Sequence, residues 1–209
     1  MANFVVNKCM NLIKHNKPEL SDTDLEIIQY GLHSLYLSLT KIVVLIIISY
    51  FLGQLKEYII FSLLFGILRM NSFGMHAKKS WMCWVTTIPV LILLPFLAIH
   101  ITIPNIIKLL IGLMLILYVY KYSPADTQKK PIINKDIRRK YKIKATIVAT
   151  AYVIISLLIN NVFVANSLIL SLILISIVIS PITYKIFNLP YNNYLKYTSK
   201  ETGRKEKLC

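Results

Sequence analysis

Apolar residues in this chain gather into long blocks rather than alternating or recurring in short amphipathic runs. Residues 32–55 form the first block, interrupted by Lys41 and a few hydroxyl side chains. Residues 58–68 form a shorter one. Blocks 81–103 and 106–120 follow, split by Pro104-Asn105, and blocks 145–164 and 167–187 complete the set. A helix needs about 20 apolar residues to cross a hydrocarbon core of about 30 Å. Four blocks meet or nearly meet that length, and 106–120 is marginal. Block 58–68 covers only about 16 Å at a helical rise of 1.5 Å per residue. It crosses if its helix continues to about Phe73, which draws Arg69 toward the membrane; the competing reading is a re-entrant segment.

Ahead of the first block, Phe4, Val5, Cys9, Leu12 and Ile13 share one helical face, with Lys8, Asn11 and Lys14 between them. That pattern predicts an amphipathic helix lying on the membrane surface. Lys17-Pro18 ends it, and Ser21-Asp22-Thr23-Asp24 supplies N-cap oxygens for a new helix. Leu25, Ile28, Leu32, Leu35 and Leu39 then continue at helical spacing into the first block. The expected fold is an all-α polytopic membrane protein, with about six transmembrane helices preceded by the surface helix. It is read as a single domain over residues 1–209.

Composition and charge agree with the pattern. The chain is 56% hydrophobic and 16% charged, whereas soluble domains run nearer 45–50% apolar and about 25% charged. Its net charge of +15 raises the question of nucleic acid, but no nucleic-acid-binding motif accompanies it. The cations instead flank the apolar blocks. If all six blocks cross, segments 1–31, 69–80, 121–144 and 185–209 share one side, and they hold 21 of the 24 Lys and Arg. Only Lys41, Lys56 and Lys108 lie elsewhere. Cytoplasmic termini follow from the positive-inside rule, and anionic lipid headgroups are the expected counter-charge. Segment 121–144, with Pro124 and Pro131 as helix breakers, reads as a basic cytoplasmic loop, and 188–209 as a polar tail.

Cys9, Cys83 and Cys209 are scattered and all fall on the expected inner side. They form neither a disulfide framework nor a metal-ligand pattern, so no metal or cofactor is predicted. One pairing carries chemistry: His76 and Cys83 share the basic stretch around segment 69–80. A thiolate is the active nucleophile of cysteine chemistry, and a neighbouring imidazole or cation makes it available near neutral pH. On a continuous helix the seven-residue spacing separates the pair by about 10 Å, against the roughly 3 Å that proton transfer needs. Catalysis therefore requires a bend. Gly74 permits an unusual backbone, and Ser80 can cap a helix starting near Trp81. Cys83 would then lie in the first turn, where the helix dipole and Arg69, Lys78 and Lys79 favour a thiolate. Spacing alone leaves the bland reading open, a cysteine packing as a small hydrophobe beside a loop histidine. It also leaves open a peptide transporter without chemistry, for which His33 and Lys41 in the first block and Pro89 and Pro95 in the third are the supporting features.

The pattern Arg69-x4-Gly74-x-His76-Ala77-x6-Cys83, followed by Pro124-Ala125 and Lys129-Lys130-Pro131-Ile132, resembles the accessory gene regulator B (AgrB) family of quorum-sensing membrane endopeptidases of Gram-positive bacteria. The chain departs from that family's habit at Phe73 and Met75, where a second glycine or small polar residue is common, and at Thr87, where a serine is common. The resemblance implies a precursor-processing enzyme acting on an AgrD-type peptide with an amphipathic helix, a signal segment and an acidic tail. Cys83 would be the nucleophile and His76 the acid–base group, and the signal segment would leave as a thiolactone or lactone ring. Arg69, Lys129 and Lys130 are candidates for holding the acidic tail, Arg69 also for the oxyanion, and Thr87 for an auxiliary hydroxyl. Two copies facing each other are compatible with such a small enzyme.

Overall fold

The computed structural model describes residues 2–17, 19–75, 80–127 and 132–195. Among them every extended regular element is an α-helix. The chain divides into two compact units, Met1–Gly53 and Gln54–Cys209.

The first unit is a helix pair, α1 (Ala2–Asn16) and α2 (Asp22–Phe51). Ser21 caps α2 as its sequence predicts: its hydroxyl oxygen accepts the Asp24 N–H at 3.2 Å and donates to the Asp24 carboxylate at 2.6 Å. The buried face of α1 is not the expected one, of which Cys9 and Ile13 are half-buried. Val6 and Met10 are buried within the unit, while Phe4, Val5 and Leu12 are exposed. Positions 6 and 10 lie one turn apart and form the stripe that meets α2.

The second unit holds α3 (Leu55–Ser72), α4 (Ser80–His100), α5 (Asn105–Tyr122), α6 (Lys135–Leu158), α7 (Val162–Ile179) and the short α8 (Pro181–Ile186). Helix α7 is apolar all round and occupies the centre, touching α3, α4, α5 and α6. Such a helix has no polar face to give to solvent and belongs in a core. Leu168, Ile169, Leu172 and Ile175 from α7 meet Leu68, Val119, Ala149 and Tyr152. Polar groups pin neighbours at chosen points. The Tyr152 hydroxyl donates to the Leu64 carbonyl at 2.8 Å, joining α6 to α3. The buried Asn166 amide donates to the carbonyls of Ala98 and Ile101, closing the C-terminal end of α4. Gly112 lets α5 and α6 approach, because a Cβ there would stand 2.7 Å from both methyls of Val153.

Among the described residues four helices are long and apolar enough to cross a membrane, Asp24–Phe51, Asn105–Tyr122, Lys135–Leu158 and Val162–Ile179, and Trp84–His100 is a shorter apolar helix. Helix α3 extends block 58–68 in both directions to 18 residues, about 27 Å at helical rise, and includes Lys56, Glu57 and Arg69. Two expected boundaries move. Helix α6 begins at Lys135, where the Asn134 side chain accepts the N–H groups of Asp136 and Ile137, so the basic residues 135–144 are helical rather than loop. The last block is interrupted: α7 ends at Ile179, and Ser180-Pro181 opens α8, since proline fits a first helical turn but cannot continue a helix.

Candidate active site

Helix α3 ends in an unusual turn. Its C-cap, Phe73, has φ 58° and ψ −127°, and Gly74 follows with φ 112°. Both lie in the half of backbone space that side chains disfavour, and such conformations persist only where surrounding contacts enforce them. Arg69 supplies part of that enforcement. One turn back on α3, it donates from Nη1 to the Phe73 carbonyl at 2.8 Å and from Nη2 to the Met75 carbonyl at 2.6 Å. A planar guanidinium can hold two carbonyls at once, which an ammonium cannot do with the same geometry. The Phe73 ring packs edge-on against Tyr141 of α6, 4.8 Å between centroids.

The turn is also tied to two distant segments. Gly74 donates its N–H to Ala125 at 2.8 Å, Ala125 donates back to Ser72 at 3.0 Å, and Met75 donates to Val178 near the end of α7 at 3.2 Å. A side chain at residue 74 has no room: its Cβ would lie 2.5 Å from Arg69 Nη1 and 2.7 Å from Val178 Cγ1. Gly74 thus combines a positive φ with a three-way contact of backbones.

Behind this turn lies a buried polar hub. The Asp126 side chain is 1% exposed. Its Oδ1 accepts the Asn193 N–H at 3.1 Å and its Oδ2 the Tyr194 N–H at 2.9 Å. Arg138 of α6 stands 3.8 Å away as the counter-charge and lies over the Tyr194 ring at 3.7 Å. The buried Tyr184 hydroxyl donates to the Asp126 carbonyl at 3.1 Å, with Ala125 O at 3.4 Å. Burial pushes the Tyr184 phenol well above its ordinary value near 10; nearby Arg69 opposes that rise and Asp126 adds to it. Residues 188–195, part of the expected polar tail, are therefore folded back onto the 123–127 segment.

The candidate residues divide accordingly. Arg69 and Gly74 meet directly. Thr87 lies half-buried on α4, one turn beyond Cys83. Cys83 itself is in the first turn of α4, which starts at Ser80, but its side chain lies outside the described residues, as do His76, Lys129 and Lys130. Met75, the residue before His76, is held in place, and four residues separate it from α4. Among the described residues no group of His, Cys, Asp and Glu could hold a metal ion. His100 has a local partner: its Nδ1 is 2.8 Å from the Phe96 carbonyl and its ring stacks on Phe96. Sequence reasoning missed Asp126, Tyr184 and Asn193. One signal was available, since Asp126 is the sole carboxylate between Lys121 and Lys135.

The arrangement, a glycine turn clasped by an arginine and paired with a Pro-Ala-Asp segment, joins the two stretches on which the sequence resemblance rests. The chain matches the profile of Accessory gene regulator B over residues 6–184. It belongs to the AgrB family. A putative AgrB-like protein of Clostridium acetobutylicum is 31% identical over 188 residues, covering 90% of this chain and 89% of the relative. A putative AgrB-like protein of Listeria innocua is 31% identical over 170 residues, covering 81% and 83%. The accessory gene regulator protein B of Staphylococcus aureus is 32% identical over 157 residues, covering 75% and 82%. No solved structure matches the chain at a significant level. This AgrB chain has an all-helical fold with several helices suited to a membrane, as the sequence predicts.

Proposed function

We propose that this AgrB protein is a membrane cysteine endopeptidase that removes the C-terminal tail of an AgrD-type precursor and helps the remaining signal segment cyclise. Cys83, as thiolate, attacks the carbonyl carbon at the end of the signal segment. The C–N bond breaks, His76 gives its proton to the departing amine, and the signal segment remains as a thioester on Cys83. A thiol or hydroxyl inside that segment then attacks the thioester. The bond to Cys83 breaks, its thiolate is regenerated, and a thiolactone or lactone is released. Hydrolysis competes at this second step, so exclusion of water matters.

The observation that carries this reading is the clasped turn at Phe73–Gly74–Met75. Backbone strain of this kind accumulates where a protein holds a functional group in a demanding position, and the next residue is His76. The start of α4 at Ser80 supports the reading from the other side, because it gives Cys83 a first-turn position whose dipole favours thiolate. Arg69 acts first as the clasp; Lys129 and Lys130 remain the candidates for the acidic tail, and Thr87 for an auxiliary hydroxyl. The membrane is the working site, with both termini cytoplasmic and the exposed Phe4, Val5 and Leu12 of α1 turned to the bilayer surface.

A tail-tagged precursor reconstituted with the protein in vesicles tests the reading. Cys83→Ala and His76→Ala should each abolish release of the tail with membrane insertion unchanged, and Cys9→Ala and Cys209→Ala should leave release intact. Normal release by Cys83→Ala overturns it.

A further inference from the structure

A pocket of about 520 Å³ opens where the end of α5 meets the first turns of α6 and the folded-back segment 191–194. Four cations line it, Lys121, Arg138, Arg139 and Lys142, and no carboxylate does. The nearest compensating charge, Asp126, is buried and already accepts two backbone N–H groups. It offsets at most one of the four. Three of the four cations lie over aromatic rings, Arg138 over Tyr194 at 3.7 Å, Lys142 over Tyr120 at 4.4 Å and Lys121 over Tyr122 at 5.2 Å, and Arg138 alone also faces the Asp126 carboxylate, at 3.8 Å. Cation–π contacts fix a cation without neutralising it. Arg138 Nη1 is buried and, at 3.8 Å from Asp126 Oδ2, is paired in charge but makes no hydrogen bond within the protein. A buried donor without a hydrogen bond is costly even beside a counter-charge, and an anion entering the pocket would supply the missing acceptor.

The surroundings name the anion. The pocket sits at the polar ends of two helices long and apolar enough to cross a membrane. Tyr118, Tyr120 and Tyr122 on α5 and Tyr141 on α6 gather at the same level, the arrangement found where a chain passes through the headgroup layer. One helical turn toward the membrane from Lys121 is Leu117, 69% exposed, and one turn from Arg139 is Ile143, 46% exposed. A phosphate in the pocket therefore has an apolar track beside it, suited to acyl chains. Basic pockets between spanning helices bind anionic headgroups in this way, and two arginines suit the forked geometry of a phosphate. We propose that this pocket is a binding site for the phosphate of an anionic phospholipid, with Lys121, Arg138, Arg139 and Lys142 as its ligands. The site does not depend on the peptidase reading. Occupied, it ties α5, α6 and segment 191–194 together beside the 123–127 segment that supports the Gly74 turn.

The test is native mass spectrometry of the full chain in neutral detergent, titrated with phosphatidylglycerol or phosphatidylcholine. Two variants, Arg139→Gln with Lys142→Gln and Lys121→Gln with Arg139→Gln, each remove two pocket charges. A control, Lys56→Gln with Lys185→Gln, removes two charges elsewhere. Thermal midpoints without lipid show whether each variant is folded, and two pocket pairs guard against one failing. Phosphatidylglycerol should bind roughly tenfold or more weakly to the pocket variants and unchanged to the control, with phosphatidylcholine weak throughout. An equal loss in the control, or equal retention of both lipids by the parent chain, overturns the proposal. Displacement of phosphatidylglycerol by millimolar inorganic phosphate assigns the pocket to free phosphate, and displacement by an oligoglutamate peptide assigns it to an acidic peptide; either result also overturns it.

Discussion

Replacing Gly74 by alanine strikes the point where the turn, the arginine clasp and the end of α7 meet. The new Cβ would lie 2.5 Å from Arg69 Nη1 and 2.7 Å from Val178 Cγ1, with the Val178 carbonyl at 3.1 Å. Arg69 has the freer side chain and must yield. Its displacement weakens two charge-assisted bonds, each worth about 1.5–3 kcal/mol, although water recovers part of that loss. Holding alanine at φ 112° adds roughly 1–3 kcal/mol of strain. The sum is about 3 kcal/mol or more, concentrated on a few residues. The clash with α7 falls at Val178, one residue from the helix end, so the turn should detach while the helices stay packed. Hydrogen exchange read by mass spectrometry on peptides covering residues 73–75 measures this directly. At about 1.4 kcal/mol per factor of ten, protection of the amides at 74 and 75 should fall roughly a hundredfold. Protection over α7 should be retained, and precursor cleavage should drop at least tenfold. Unchanged protection at 74 and 75 would refute the claim that this turn is held by the contacts named here.

Arg69→Lys keeps the charge but not the fork, so one of the two carbonyl bonds is lost and cleavage should fall about fivefold or more; undiminished cleavage would mean that Arg69 acts only through its charge. Asp126→Asn turns one acceptor into a donor facing a backbone N–H and strips Arg138 of its counter-charge. A destabilisation of about 2–4 kcal/mol is expected, read as a lowered thermal midpoint in detergent. Alkaline titration gives a further check. Burial raises the Tyr191 phenol to about 12, with Arg138 opposing the rise, and Tyr184 is raised further in the same direction. Below pH 10 both states keep the proton and the contribution is fully present. Between pH 10 and about 12 the unfolded chain ionises first, so stability falls as pH rises, and Tyr191→Phe should flatten that fall.

The helical class and the placement of the apolar blocks were legible because membrane-spanning length needs only a count of apolar residues. Boundaries were less so. The basic residues 135–144 look like loop by charge, yet Asn134 caps a helix that runs through them, and charge density does not oppose a helix most of whose cations are exposed. Block 167–187 gives no hint of a break except Ser180-Pro181, a pair that equally suits a kink. At the site, Gly74 and Arg69 stood out from the sequence, but their relation did not. Spacing of five residues cannot reveal that the arginine reaches forward to the carbonyls on either side of the glycine. Asp126, Tyr184 and Asn193 come together from positions up to 67 residues apart, a distance that local pattern does not bridge. The same holds for the pocket, whose four cations are spread over α5 and α6 and converge only once the helices pair.

The central claim is that Cys83 carries the signal segment as a thioester. Acid quenching of the reaction in vesicles, followed by intact mass and peptide mapping, measures this most directly. An adduct with the mass of the precursor less its tail is expected on Cys83, and it should be removed by hydroxylamine at neutral pH, as a thioester is. The decisive comparison is Cys83→Ala: no adduct and no released tail. An adduct on another residue, or tail released by Cys83→Ala, would contradict the account.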